Sequence, residues 1–207
     1  MENYADLMFT KAVQAEQDAD GIRATYAQMY PGRTQAHIGP DEAAFLTSRT
    51  SIYIASVSET GWPYVQHRGG PVGFIKMLDA DTIGFADYRG NRQFISKGNL
   101  INDDRVSVFA MDYARKARLK LQGRARLYDT SEDTGLAAQL ATDGQGRVER
   151  IMTIKIVAMD WNCPQFITPR FDQAEITQMI GPEMSRLQSR IDELEAELTH
   201  MKKGGEE

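Results

Sequence analysis

Three groups of residues between Pro63 and Leu127 combine cations, amide donors and glycines. They are Gln66-His67-Arg68-Gly69-Gly70, Asp87-Tyr88-Arg89-Gly90-Asn91-Arg92-Gln93 and Arg118-Leu119-Lys120-Leu121-Gln122-Gly123. A guanidinium matches phosphate oxygens with a planar fork of donors, an ammonium acts as a point charge, and glycine lets a ring approach the backbone because no Cβ intervenes. Placed at strand ends, such groups suit a flat, phosphate-bearing cofactor whose own ring carries the reaction. Backbone N–H groups of Gly90 and Asn91, at the start of a helical turn, add fixed donors. The same residues admit a plainer reading, a solvated basic strand face with a glycine turn. Gly69-Gly70-Pro71 likewise reads either as a close approach to a ring or as a β-bulge at a barrel corner.

Other chemistry is thinly represented. His67 has the pKa range of a proton donor, but strand alternation puts His67 and Arg68 on opposite faces, so both cannot point equally at one ring. Cys163 stands before a proline with no activating base and reads as an inert thiol; as the single cysteine it excludes an internal disulfide and fits a reducing compartment. His37 and His200 have no ligand partner at metal spacing, so no metal site is expected. The GxGxxG, Walker and Gly-x-Ser-x-Gly patterns are missing, which disfavours dinucleotide folds, phosphoryl transfer and serine hydrolysis. No catalytic residue is assigned.

Composition narrows the class further. The chain has 207 residues, 42% hydrophobic and 26% charged, with a formal net charge of −5. That size suits one domain with appendages, and the acidic balance argues against general nucleic-acid binding. No basic region followed by an apolar run opens the chain, and no stretch approaches a membrane span, so a cytoplasmic protein is expected.

The elements that must position these groups follow from periodicity. Residues 1–40 read as a helical extension with a turn at Pro31-Gly32. Gly39-Pro40-Asp41-Glu42 opens a short helix, its acids placed where the macrodipole favours them. Strands are expected over Ser51–Ser58 and Trp62–Arg68 as a hairpin, then Gly73–Leu78, Thr82–Ala86, Arg105–Asp112, Arg118–Leu127 and Arg150–Trp161. Arg105–Asp112 is apolar on both faces, as for a strand covered on both sides. Along Arg118–Leu127 the even positions are Arg118, Lys120, Gln122, Arg124 and Arg126, and the odd positions are Leu119, Leu121, Gly123, Ala125 and Leu127, giving one basic and one core face. Asn91–Lys97 reads as a helical turn ending at Gly98, and Ser131–Ala141 as a helix with Ser131 as N-cap. At least six strands with tight connections predict a small closed antiparallel barrel with peripheral helices. In the tail, Met184, Leu187, Ile191, Leu194, Leu198 and Met201 alternate spacings of three and four, the a/d pattern of a coiled coil; an amphipathic helix on its own barrel is the other reading. Residues 202–207 are expected to fray.

In order, spacing and context, Val65–Pro71, Gly84–Gln93 and Arg118–Ala125 resemble the pyridoxamine 5′-phosphate oxidase-like, FMN-binding split barrels. The resemblance covers roughly Asp41 to Phe171. It implies a six-stranded antiparallel split-barrel domain over 41–171, between an N-terminal helical extension (1–40) and a C-terminal helix (172–207). It also implies a homodimer with two FMN molecules in clefts between the subunits. By that resemblance the cofactor-binding residues are His67, Arg68, Gly69, Gly70, Asp87, Tyr88, Asn91, Arg92, Gln93, Arg118, Lys120 and Trp161, with Arg92 first for the phosphate. The oxidase's Arg-x-His-Asp-Arg-like substrate segment is replaced here by Asn162-Cys163-Pro164-Gln165-Phe166-Ile167-Thr168-Pro169-Arg170-Phe171, which removes the basis for vitamin B6 oxidation. The expectation is therefore an FMN-dependent oxidoreductase acting on an unknown small molecule. The alternatives are a flavin-binding or redox-sensing module without turnover, and a split barrel that takes deazaflavin or haem.

Overall fold

A computed structural model describes residues 1–143, 145–161 and 163–204. The alternating segments form strands β1 (Ser51–Val57), β2 (Pro63–Gly69), β3 (Lys76–Met77), β4 (Thr82–Tyr88), β5 (Arg105–Asp112), β6 (Ala117–Asp129) and β7 (Val148–Trp161). They pair antiparallel in the order β2-β1-β5-β6-β7-β4-β3. This is the split barrel. The sheet carries seven strands rather than six and is not closed, with β2 and β3 as its edges. The third strand is far shorter than the expected Gly73–Leu78, because Gly73 turns at φ 84° and Phe74 bonds back to Pro71.

Period-two alternation builds the core. Ile52, Ile54, Val106, Val108, Leu119, Leu121, Ile154 and Ile156 are buried on the inner face. Gly123 lies inside that face, where an added Cβ would meet Ile154 Cγ2 at 2.7 Å. A register shift beside it leaves Val157 of β7 unpaired with β6, and the N–H of Glu2 takes the Val157 carbonyl at 2.7 Å. A second cluster of Ala86, Ala137, Leu140 and Ile151 buries the outer side of β4. β5 departs from expectation: Val106, Val108 and Ala110 are buried, but Phe109 and Met111 on its other face are half-exposed.

The helices are α1 (Tyr4–Met8), α2 (Lys11–Ala19), α3 (Arg23–Met29), α4 (Pro40–Thr47), α5 (Ile95–Asn102), α6 (Thr134–Leu140) and α7 (Gln173–Gly204), with a 3-10 turn at Pro31–Arg33. α6 starts later than expected. Asp133, not Ser131, is its cap, accepting from the Leu136 N–H at 2.8 Å, while Glu132 turns to Arg126 at 3.0 Å. α5 also starts later, at Ile95, because Arg92 and Phe94 take left-handed backbone (φ 61° and 55°) that no α-helix tolerates.

The chain divides into two compact units: Met1–Asp112 with Lys116–Phe166, and Tyr113–Arg115 with the chain from Ile167 onward. In the second, Asp172 and Glu175 form a reciprocal capping box at the start of α7, each side chain accepting the other's N–H at 2.8 Å. The a/d residues Met184, Leu187, Ile191, Leu194, Leu198 and Met201 are exposed along α7. Of the tail expected to fray, residues 205–207 lie outside the described residues, as does Asn162 in the segment after β7.

Candidate functional site

β2 and β4 share no ladder, yet their side chains meet across the split. Pairing with Ile52 and Ile54 puts Arg68 and Gln66 on the inner face of β2. The register Asp87↔Arg150 brings a carboxylate of β4 beside a guanidinium of β7. There Arg68 Nη1 donates to Asp87 Oδ1, and Arg150 Nε donates to Asp87 Oδ2 at 2.7 Å. Asp87 is buried, so one carboxylate is held between two guanidiniums. Glu149 lies 3.4 Å from Arg150 Nη1 and 3.9 Å from Arg89 at the outer edge.

The loop after β4 closes over this pair. Arg92 and Arg150 stack on the Phe94 ring at 5.7 and 5.4 Å, and Ser96 donates to Gln66 at 2.6 Å. Asn91 Oδ1 accepts the Gln93 N–H at 3.1 Å, in place of the helical turn expected there. Left-handed backbone at two non-glycine residues costs about 1–2 kcal/mol each and is concentrated where side chains are held for use. The resulting cleft, lined by Arg68, Asp87, Tyr88, Asn91, Arg92 and Gln93, encloses about 70 Å³. That is room for a phosphate-sized group and far less than a ring system needs. Arg68 Nε is buried here without a partner, an unmet donor in a site built from donors.

Six of the twelve expected cofactor residues therefore come together: Arg68, Asp87, Tyr88, Asn91, Arg92 and Gln93. Tyr88 is anchored by its hydroxyl, which donates to the Thr142 carbonyl (3.2 Å) and accepts the Thr142 N–H (2.6 Å). The others lie elsewhere. His67 is exposed on the outer face of β2, edge-on to Tyr53 at 5.6 Å. A Cβ on Gly70 would sit 2.6 Å from Phe74 Cβ, so the space beside that glycine is taken by core packing; a Cβ on Gly69 would meet the His67 ring at 2.9 Å. Arg118 and Lys120 stand on the outer face of β6, opposite to Leu119 and Leu121. Arg118 Nε is buried and without a partner, whereas Lys120 Nζ is 2.7 Å from Asp160 and 4.7 Å from the centre of the Tyr4 ring. Trp161 Nε1 donates to Glu42 at 2.7 Å. Lys120 and Trp161 line a second cavity, away from Arg68 within the same chain.

Arg150 was not among the expected residues. Its signal was in the sequence: it heads the β7 face that continues with Met152, Ile154 and Ile156, and an arginine on an apolar stripe needs a buried anion. Only the register identifies that anion as Asp87. Among the described residues no group of three His, Cys, Asp or Glu could hold a metal ion, and no helix is long and apolar enough to cross a membrane.

Residues 38–154 match the family model described as pyridoxamine 5′-phosphate oxidase. Among curated proteins none matches the chain. Among solved structures it is similar to HupZ of Group A Streptococcus, at 16% identity over 64% of this chain and 99% of that one, with a TM-score of 0.48. It is also similar to an FMN-binding protein from Syntrophomonas wolfei, at 11% identity over 70% and 97% of the two chains with a TM-score of 0.44. An F420 reductase is similar at 13% identity over 61% and 98%, with a TM-score of 0.42.

Proposed function

The chain belongs to the pyridoxamine 5′-phosphate oxidase family, and from that premise we propose that it binds FMN and acts as an FMN-dependent oxidoreductase on a small organic molecule. The observation that carries this reading is the split between β2 and β4, where two guanidiniums share one buried carboxylate and Arg68 Nε faces no acceptor. A phosphate fits what is missing. It would accept from Arg68 and Arg92 and from the N–H groups of the Gly90–Gln93 turn, while Asp87 keeps Arg68 and Arg150 aligned. Phe94, against which Arg92 and Arg150 stack, would help hold those two guanidiniums in place.

FMN would supply the hydride and single-electron chemistry; the protein supplies binding, orientation and field. The cleft of one chain takes only the phosphate end, so the ring needs a further wall. A second copy of the chain provides one in our reading, as a homodimer joined over the outer faces of β1, β2 and β5, where Tyr53 and Val65 are exposed and Phe109 is half-exposed. The exposed a/d stripe of α7 supports a second contact of the same pair, a coiled coil.

The test is direct. FMN titrated into purified protein should bind at one site per chain and give a flavin absorption spectrum, and reduced nicotinamide with a panel of quinones, nitro compounds and oxygen should show turnover. No saturable FMN binding sinks the cofactor reading. A deazaflavin or haem spectrum from the purified protein replaces it, and tight FMN binding without turnover leaves a flavin-binding module.

A further inference from the structure

Residues 1–37 precede the stretch that matches the family, and they build most of one wall of a cavity of about 800 Å³. Tyr4, Phe9, Gln17, Tyr26, Tyr30 and Arg33 come from that extension, while Glu42, Lys120, Asp160 and Trp161 come from the barrel and α4. We propose that this cavity binds a small, flat aromatic acid whose ring also carries a hydrogen-bond donor, an amino-substituted benzoate being the simplest case. The proposal goes beyond the flavin reading and does not rest on it.

The volume lies within the range of small-molecule sites, and the walls are aromatic. Phe9, Tyr26 and Tyr30 meet edge to face or tilted, with centroids 5.0, 5.5 and 5.9 Å apart, and Trp161 stands edge-on to Phe45 at 4.8 Å. Such walls favour a flat ring over a puckered one, because stacked and edge-on contacts add to burial.

The polar groups fall into two sets. Asp160 is buried and takes Lys120 at 2.7 Å, the Tyr30 hydroxyl at 3.3 Å and Arg33 at 3.6 Å. Two cations against one carboxylate leave a surplus positive charge. Arg33 is half-exposed and its one ion pair among the described residues is that loose one, so most of its five donors are open to a ligand. Burial and the neighbouring Asp160 push the Tyr30 hydroxyl up to about 12, so it remains a donor at any physiological pH. Gln17, nine-tenths buried, also lines the cavity, and its carbonyl accepts from Arg23 at 3.5 Å, which leaves the amide N–H groups as donors for a ligand. This end asks for a carboxylate. Glu42 is the other set. It is buried, its Oε1 accepts from Trp161 and Gln35, and among the described residues no donor reaches its Oε2. Gly39 makes room for that oxygen, since a Cβ there would stand 2.6 Å from it. Glu42 lines the cavity, so that oxygen can accept from a ligand donor.

Calorimetric titration of the flavin-free full chain with 4-aminobenzoate, anthranilate and 6-aminonicotinate tests this. Benzoate, aniline and cyclohexanecarboxylate serve as controls. At least one of the three acids should bind one to one, about tenfold tighter than any control, the scale of one charge-assisted hydrogen bond. Arg33→Gln and Gln17→Leu should each weaken it by a similar factor, with unchanged unfolding midpoints and unchanged FMN affinity. The proposal is overturned if none of the three acids saturates at millimolar concentration. It is equally overturned if benzoate binds as tightly as its amino derivatives, or if both variants bind like the parent chain. Because the titrations contain no flavin, failure of FMN binding would leave this result intact.

Discussion

Asp87 and Asp160 are both buried carboxylates flanked by two cations, Arg68 and Arg150 for the first, Lys120 and Arg33 for the second. Their surroundings differ. All three residues of the Asp87 cluster sit on strands, and both guanidiniums are mostly buried, so the cluster cannot relax when one member is lost. The Asp160 cluster borrows Arg33 from the 3-10 turn of the extension, and Arg33 reaches water. One arrangement fixes donors around a phosphate-sized volume; the other leaves cations free to turn toward something new. The lesson is that the same charge motif becomes an anchor or an adaptable site according to how its cations are tethered.

Deleting the carboxylates is the harshest trial of that contrast. Asp87→Ala takes the buried carboxylate from both Arg68 and Arg150, leaving Arg150 its 3.4 Å contact with Glu149, and should destabilise the fold by about 3–5 kcal/mol. Asp160→Ala lets Lys120 and Arg33 turn to solvent and should cost about 1–3 kcal/mol. Denaturant unfolding measures both, and the reverse order would break the comparison. Ligand affinity separates the regions next. Arg92→Ala should weaken FMN binding by about 1.5–3 kcal/mol, whereas Lys120→Met should change it by less than about 0.5 kcal/mol; equal losses would show that the two regions share one ligand. Gly70→Ala, beside Arg68 at the end of β2, forces a methyl against Phe74 and should cost about 1–3 kcal/mol of stability.

The smallest effect is a pH dependence. Tyr30 titrates at its ordinary value near 10.0 when unfolded and at about 12 when folded. Below pH 10 the hydroxyl is protonated in both states and its contribution is complete. Between pH 10 and 12 only the unfolded chain gives up the proton, so stability falls across that window. Tyr30→Phe should flatten that part of a stability-against-pH curve; an unchanged slope would remove Tyr30 from the Asp160 cluster.

Most strands were legible because alternation is local. β5 and β6 begin and end within two residues of where Arg105–Asp112 and Arg118–Leu127 put them. Helix starts were less legible: Ser131 and Asp133 are both competent caps, and the choice fell to Asp133 once Glu132 was drawn to Arg126. The candidate site was half legible. The three cationic groups were visible, but grouping Arg68 with Lys120 required knowing which face each strand turns inward. A change of phase in β7 was invisible. Arg150 and Asp160 share parity, yet the extra residue at Val157 reverses the alternation, so Arg150 faces the inner side with Ile154 while Asp160 faces outward beside Lys120.

The sequence by itself determined the antiparallel strand pattern, the family and the cationic groups, because these depend on residue type and short spacing. Tertiary structure alone decided that Asp87 receives Arg68 from 19 residues away and Arg150 from 63, and that residues 1–37 enclose a cavity against Asp160. Register and bulges carry that information, and both arise from pairing between segments whose separation no local periodicity encodes.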